Sequence, residues 1–510
     1  MTKSLSDKNT NSNSQTISQT IEKLRAFSET DVRQNWRCFA GHMTVAEVFA
    51  SDFDSWETRD LNKKGHIPWE KGKKVLWLAQ KIVVPQDNNG YPVAGLCLRL
   101  AVVWWADSAQ VYINGSLVAE GDLFDFFQRV LLSGSVTPGE EFTVALRLVS
   151  PGHDNGALVS SKLVYEAVDN NLYPGFVAAE LAILQRYYQA FAPDELDKVA
   201  AKVNTWEINP QNQGRELINQ SLSSLQNYLQ SQTPKIQSTI KLVGHAHLDM
   251  AWLWPVSETW EAAKNTFASV LKLQQDFPEL IFCHSTPALY AWVEENCPDL
   301  FELIKKAVQN KVWEIIGAFW VEPELNIISG ESIVRQLLYG QRYVKEKFGE
   351  FSPVAWLPDS FGFCWTLPQF MTSAGVEYFV TQKLIWNDTT KFPHGAFWWR
   401  SPDGSEIFSL MSAPIGEGID PVQMVEYAIG WEKQTGLQNY LWLPGVGDHG
   451  GGPTRDMLEV SRRWESTSIC PEFEFTTVEN YLDEIKQQGE IETSPASKFP
   501  TWNDELYLEF

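Results

Sequence analysis

The stretch Thr239-Ile240-Lys241-Leu242-Val243-Gly244-His245-Ala246-His247-Leu248-Asp249 decides the fold. An apolar run of strand length, Ile240 to Val243, ends at a glycine and opens into His-x-His-x-Asp. From Ser238 onward such runs alternate with helical patterns. Ile281 to Cys283, Trp313 to Val321, Val354 to Leu357, Tyr378 to Val380 and Tyr440 to Leu443 all read as strands. Between the first two, Glu258 to Gln275 places Trp260, Ala263, Phe267, Val270 and Leu271 on one helical face, with Ser257 as the expected N-cap. Alternation of this kind predicts an α/β unit with a mostly parallel sheet.

Ligands of parallel sheets bind beyond the carboxyl ends of the strands, so the residues that follow each run are the place to look. His245, His247 and Asp249 follow the first run, Glu322 and Glu324 the third, and Asp359-Ser360-Phe361-Gly362 the fourth. Thr381-Gln382-Lys383 follows the fifth, and Gly447-Asp448-His449-Gly450-Gly451-Gly452 the last. In extended backbone His245, His247 and Asp249 project to one side. Two imidazoles and a carboxylate there form a metal-ligand set whose nitrogen and oxygen donors suit zinc, with one His able to orient the other. The competing reading packs one His in the core and lets the other shape a loop. Asp359 suits a metal ligand, a nucleophile or both, against an N-cap on a following helix. Asp448 and His449 are acid/base candidates in a glycine-rich loop, against a solvated turn. Trp252 and Trp254 present flat apolar rings beside the first motif, a match for the C–H faces of a sugar or for a planar ligand.

The rest of the chain divides into residues 1–34, a polar tail with a short helix near Ile17 to Phe27; 35–168, an all-β sandwich; and 169–238, a helical connector and linker. The α/β unit occupies 239–510. The sandwich rests on short runs such as Val75 to Ala79, Leu96 to Trp105, Ala109 to Ile113 and Phe142 to Leu148, punctuated by turns at Asn89-Gly90, Asn114-Gly115 and Pro138-Gly139. The hairpin Ala109 to Gly115 resembles those of jelly-roll domains in carbohydrate-active enzymes.

Composition excludes more than it selects. Lys and Arg total 41 against 64 Asp and Glu, a net charge of −23, which argues against nucleic-acid partners. The most apolar stretch, Leu96 to Ala106, is interrupted by Arg99, so no membrane span is expected. The polar first twenty residues lack the apolar core of a secretory signal. Six Cys without CxxC spacing suit reduced thiols, and a cytoplasmic protein is expected. The 22 Trp are about three times the share of average usage, and core packing is the default for most of them.

Five ordered motifs give the chain a likeness. His245 through Pro255, Trp320-Val321-Glu322-Pro323, Trp356-Leu357-Pro358-Asp359-Ser360-Phe361-Gly362, Thr381-Gln382-Lys383-Leu384 and Gly447-Asp448 through Pro453-Thr454 together resemble glycoside hydrolase family 38 α-mannosidases of the cytosolic and bacterial branch. The resemblance implies a seven-stranded, barrel-like α/β domain and zinc-dependent, retaining hydrolysis of terminal α-D-mannosides in mannose-containing oligosaccharides. It implies zinc on His247, Asp249 and Asp359, with Asp359 also the nucleophile and Asp448 the acid/base. His449 stands where the family motif often has Gly, which leaves it as a second proton-donor candidate. Trp252 and Phe361 would line the sugar, and Lys383 and Glu322 would contact hydroxyls. The family's last zinc ligand, a His, is expected beyond residue 510, so the chain reads as an N-terminal portion. A metal-dependent amidohydrolase and a non-catalytic carbohydrate-binding protein are the alternatives. Linkage preference and homo-oligomerisation are left open.

Overall fold

The computed structural model describes residues 3–122, 126–152, 154–168, 170–206, 214–232, 238–252, 254–447, 451–465, 467–490 and 499–509. The chain separates into two units, Met1–Lys235 and Ile236–Phe510. Among the described residues no helix is long and apolar enough to cross a membrane.

In the first unit the N-terminal helix runs over Lys3–Ser28, well beyond the short helix expected from Ile17. Ile17, Ile21, Leu24 and Phe27 bury one face of it. Gln185, on the helix Pro174–Phe191, donates to the Ser14 carbonyl (3.0 Å) and the Ser18 hydroxyl (3.1 Å). Tertiary packing thus supports a sequence whose Ser, Thr and Asn favour helices only weakly. Two antiparallel sheets of five and six strands follow. The expected runs become Val75–Val83, Cys97–Trp105, Ser108–Ile113 and Glu141–Val149. Asn114 and Gly115 turn between Ser108–Ile113 and Ser116–Gly121 with φ of 50° and 86°, the paired left-handed geometry that Asn-Gly tolerates.

In the second unit the opening stretch forms β1 (Thr239–Leu242) and continues at once into β2 (Gly244–His245). Then come β3 (Phe282–His284), β4 (Trp313–Ile315), β5 (Val354–Trp356), β6 (Tyr378–Thr381), β7 (Ala396–Arg400) and β8 (Glu406–Met411). β9 (Asn439–Trp442), β10 (Glu472–Phe475) and β11 (Thr501–Trp502) complete the set. They fall into three sheets, ordered β9-β1-β10, β2-β3-β4 and β5-β6-β8-β7-β11. All pairings are parallel except that of β7 with β8. Phe267, Phe282, Tyr290 and Trp313 centre one core cluster, and Phe363, Phe379, Phe397 and Trp399 another.

Two local expectations are corrected. The helix after the first motif is Val256–Asp276, capped at Pro255, so Ser257 lies inside its first turn and is not the N-cap. Pro255 has no N–H and its ring presets φ, which suits the residue that opens a helix. The run Trp313 to Val321 is a strand only as far as Ile315. Beyond it, a Cβ on Gly317 would lie 2.8 Å from the Thr286 nitrogen, and the Trp320 N–H turns to the Gln336 carbonyl (3.0 Å) instead of a ladder partner. The β7–β8 hairpin and strand β10 are not among the expected runs.

Candidate metal centre

Strand β2 ends at His245, and the three residues expected on one side part company there. His245 is buried, its ring 5.2 Å from that of Trp356 in β5, and its Nε2 accepts the Trp356 indole N–H at 3.1 Å. Burial first, then the neighbouring His284 and His247, drive its pKa well below the usual imidazole value, so the ring is neutral. His247 and Asp249 go on to meet Asp359. One donor atom from each lies within 4.8 Å of the others. His247 is buried while the two carboxylates are partly exposed. An imidazole and two carboxylates are a fitting donor set for a divalent cation such as zinc.

The loop that presents Asp249 is held from the helix behind it. The Thr259 hydroxyl donates to the Asp249 carbonyl (2.8 Å) and accepts from the Ala251 N–H (3.2 Å) and the Trp254 indole (3.0 Å). These contacts hold Ala251 at φ 66°, a left-handed conformation unfavourable for a residue with a Cβ. Trp254 turns inward as a result, while Trp252 is 56% exposed. Nothing in the sequence singled out Thr259, since a hydroxyl in a helix's first turn is ordinary. Thr259→Val, which keeps the shape and strips the hydroxyl, is expected to cost about 1–3 kcal/mol in thermal unfolding and to weaken metal binding. An unchanged unfolding midpoint would remove Thr259 from this role.

Asp359 follows β5, and no helix starts there; the next begins at Leu367. The N-cap reading therefore falls. The Asp359 N–H donates to Glu322 Oε1 at 2.5 Å, and its Oδ1 is ion-paired with the ammonium of Lys383. Burial raises the Asp359 pKa above the ordinary carboxylate value; His247 and Lys383 pull it down and Glu322 adds to the rise. Lys383 is only 2% exposed, and its Nζ lies 4.1 Å from the Phe361 ring centre and 3.9 Å from that of Trp386. Trp386 escaped the sequence reading, yet a signal was there. Lys383–Trp386 is a 3-10 turn, where residues three apart share a face.

Glu322 contacts protein through both oxygens: Oε2 is 3.2 Å from His247 Nε2, and Oε1 also receives the Ser360 hydroxyl at 3.4 Å. Near the end of the chain, Leu506 and Phe363 exchange backbone hydrogen bonds of 3.0 and 2.9 Å. The Glu509 carboxylate accepts the N–H groups of Thr389 and Thr390, which lower its pKa to about 2. Asp448 and His449 lie outside the described residues. His284 packs among Phe267, Phe282 and Tyr290, where burial lowers its pKa to about 3.

The structure therefore brings together His247, Asp249, Asp359, Glu322, Lys383 and Phe361, and leaves His245 behind them. These define a metal-competent α/β site walled by aromatic rings. Residues 237–505 match the N-terminal domain of glycosyl hydrolases family 38, and the chain belongs to that family. It is 35% identical over 308 residues to an alpha-mannosidase of Saccharomyces cerevisiae, covering 58% of this chain and 28% of that protein. Alpha-mannosidase 2C1 of Homo sapiens is 35% identical over 277 residues, covering 54% of this chain and 26% of that protein. A solved alpha-mannosidase from Enterococcus faecalis V583 aligns at 24% identity and a TM-score of 0.45, over 53% of this chain and 31% of that one. The chain thus spans roughly a quarter of the length of the curated relatives quoted.

Proposed function

We propose that this chain bears the centre for retaining hydrolysis of terminal α-D-mannosides in oligosaccharides, with zinc as its metal. The observation that supports this most is the convergence of His247, Asp249 and Asp359, with Lys383 seated on Asp359. The relatives' designation as alpha-mannosidases points the same way.

His247, Asp249 and Asp359 would hold the zinc, which when bound supplies Lewis-acid stabilisation of charge on the sugar's vicinal hydroxyls. An Asp359 oxygen attacks the anomeric carbon as the glycosidic C–O bond breaks, and the departing oxygen takes a proton from Asp448 or His449. Water then attacks the same carbon, returns a proton to that group and frees Asp359. Lys383 keeps one Asp359 oxygen engaged and its charge compensated in a half-buried site. Trp252 and Phe361, both substantially exposed, offer rings for the sugar's C–H faces.

We also read the second unit as a closed wall of seven strands. Two bridges support that, Gly317 to Ala355 between the sheets of β4 and β5, and Glu417 to Pro444 between the segments after β8 and β9. The two antiparallel sheets of the first unit are read as a jelly-roll-like sandwich, and six cysteines without CxxC spacing as those of a cytoplasmic protein.

The test is turnover of an aryl α-mannoside by the purified chain. Cleavage that a chelator abolishes and zinc restores is the expected result. Mannose binding without turnover would replace the proposal with a binding role. Metal-independent cleavage would overturn the metal assignment.

A further inference from the structure

We infer that Glu322 is a positioning residue that sets the spacing between the two arms of the metal centre before the metal arrives, and is not a contact for the sugar. The inference rests on the metal reading above. His247 reaches the site from β2 and Asp359 from β5, strands that belong to different sheets. Glu322 touches both. Its Oε2 lies 3.2 Å from His247 Nε2, and its Oε1 accepts the backbone N–H of Asp359 at 2.5 Å and the Ser360 hydroxyl at 3.4 Å.

The segment around Glu322 is built to hold still. The Trp320 N–H donates to the Gln336 carbonyl and the Val321 N–H to the Gln336 side chain, each at 3.0 Å, and the Ser360 hydroxyl also donates to the Pro323 carbonyl at 3.0 Å. Gln336 sits on the helix Gly330–Phe348, where a Cβ on Gly340 would lie 2.3 Å from the Ala318 carbonyl oxygen. Only a glycine lets the helix come that close to the segment. A carboxylate fixed in this way, with both oxygens on protein groups, ties the segment after β2 to the segment after β5.

Glu322→Gln keeps the shape and one acceptor oxygen but cannot serve both partners as an acceptor. Metal-free chain would be titrated with zinc against a competing chelator, and with cobalt followed by its visible absorption. Expected in the folded variant are an affinity about 10–100-fold weaker than wild type and an altered cobalt spectrum. Should Glu322→Gln fail to fold, Glu322→Asp, which keeps the charge but is one methylene short, is expected to show the same two losses. Wild-type affinity and spectrum in a folded variant overturn the inference and leave the metal reading standing. A wild-type chain that takes up neither zinc nor cobalt overturns both.

Discussion

Asp359→Asn is expected to lower kcat on an aryl α-mannoside by more than about a thousandfold, the scale on which losing a nucleophile removes transition-state stabilisation. The carboxamide has nearly the shape of the carboxylate but neither its charge nor its nucleophilicity. The Asp359 N–H to Glu322 is a backbone bond and survives the change. Lys383 does not fare so well, because its ammonium is 2% exposed and Asp359 is its ion-pair partner. A buried charge left without its counter-ion is costly, so the variant is also expected to unfold at lower temperature. Rates are therefore compared on folded protein at saturating zinc and mannoside. The loss should appear in kcat. A folded variant with more than about a tenth of wild-type turnover would end the nucleophile assignment.

His247→Ala is expected to abolish stoichiometric zinc binding. The wild-type chain should take up one zinc per chain and gain thermal stability as free zinc rises, by about 2.7 kcal/mol at a hundredfold excess over Kd. Removing the one imidazole among three donors takes away the nitrogen that favours zinc over magnesium or calcium. The change also strips Glu322 of its contact with His247. The loss in affinity should exceed the 10–100-fold or so that outer partners account for, which separates this variant from Glu322→Gln. His245→Ala provides the contrast: His245 lies behind the centre against Trp356, so its loss should cost stability and leave one zinc bound. Equal zinc binding by wild type and His247→Ala, in a metal-free versus zinc-loaded melting comparison, would refute the placement of the metal.

Much of the second unit was legible because parallel strands buried on both faces appear as uninterrupted apolar runs. β1, β5, β6 and β9 were found to within a residue or two by that signal alone. β7 and β8 form an antiparallel pair and were missed although Ala396-Phe397-Trp398-Trp399 and Ile407-Phe408 are apolar runs. His245 shows why alternation misleads at a strand's end. The period of two holds only while the backbone stays extended, and the strand ends at that residue. The Trp excess tells a similar story. Trp36, Trp77, Trp104, Trp313, Trp356, Trp399 and Trp442 are fully buried, so part of it is core, while Trp252 and Trp386 stand more than half exposed.

Sequence by itself determined the kind of chemistry: which donor types follow which strands, in an order specific enough to indicate the family. It did so because strand-end residues are placed by local periodicity, which a linear reading can follow. Tertiary structure alone decided which of those residues meet. His247, Glu322, Asp359 and Lys383 come from four separate segments. Contacts across that separation depend on how sheets and helices pack. That packing turned Glu322 onto His247 and Asp359, and set Lys383 between two aromatic rings.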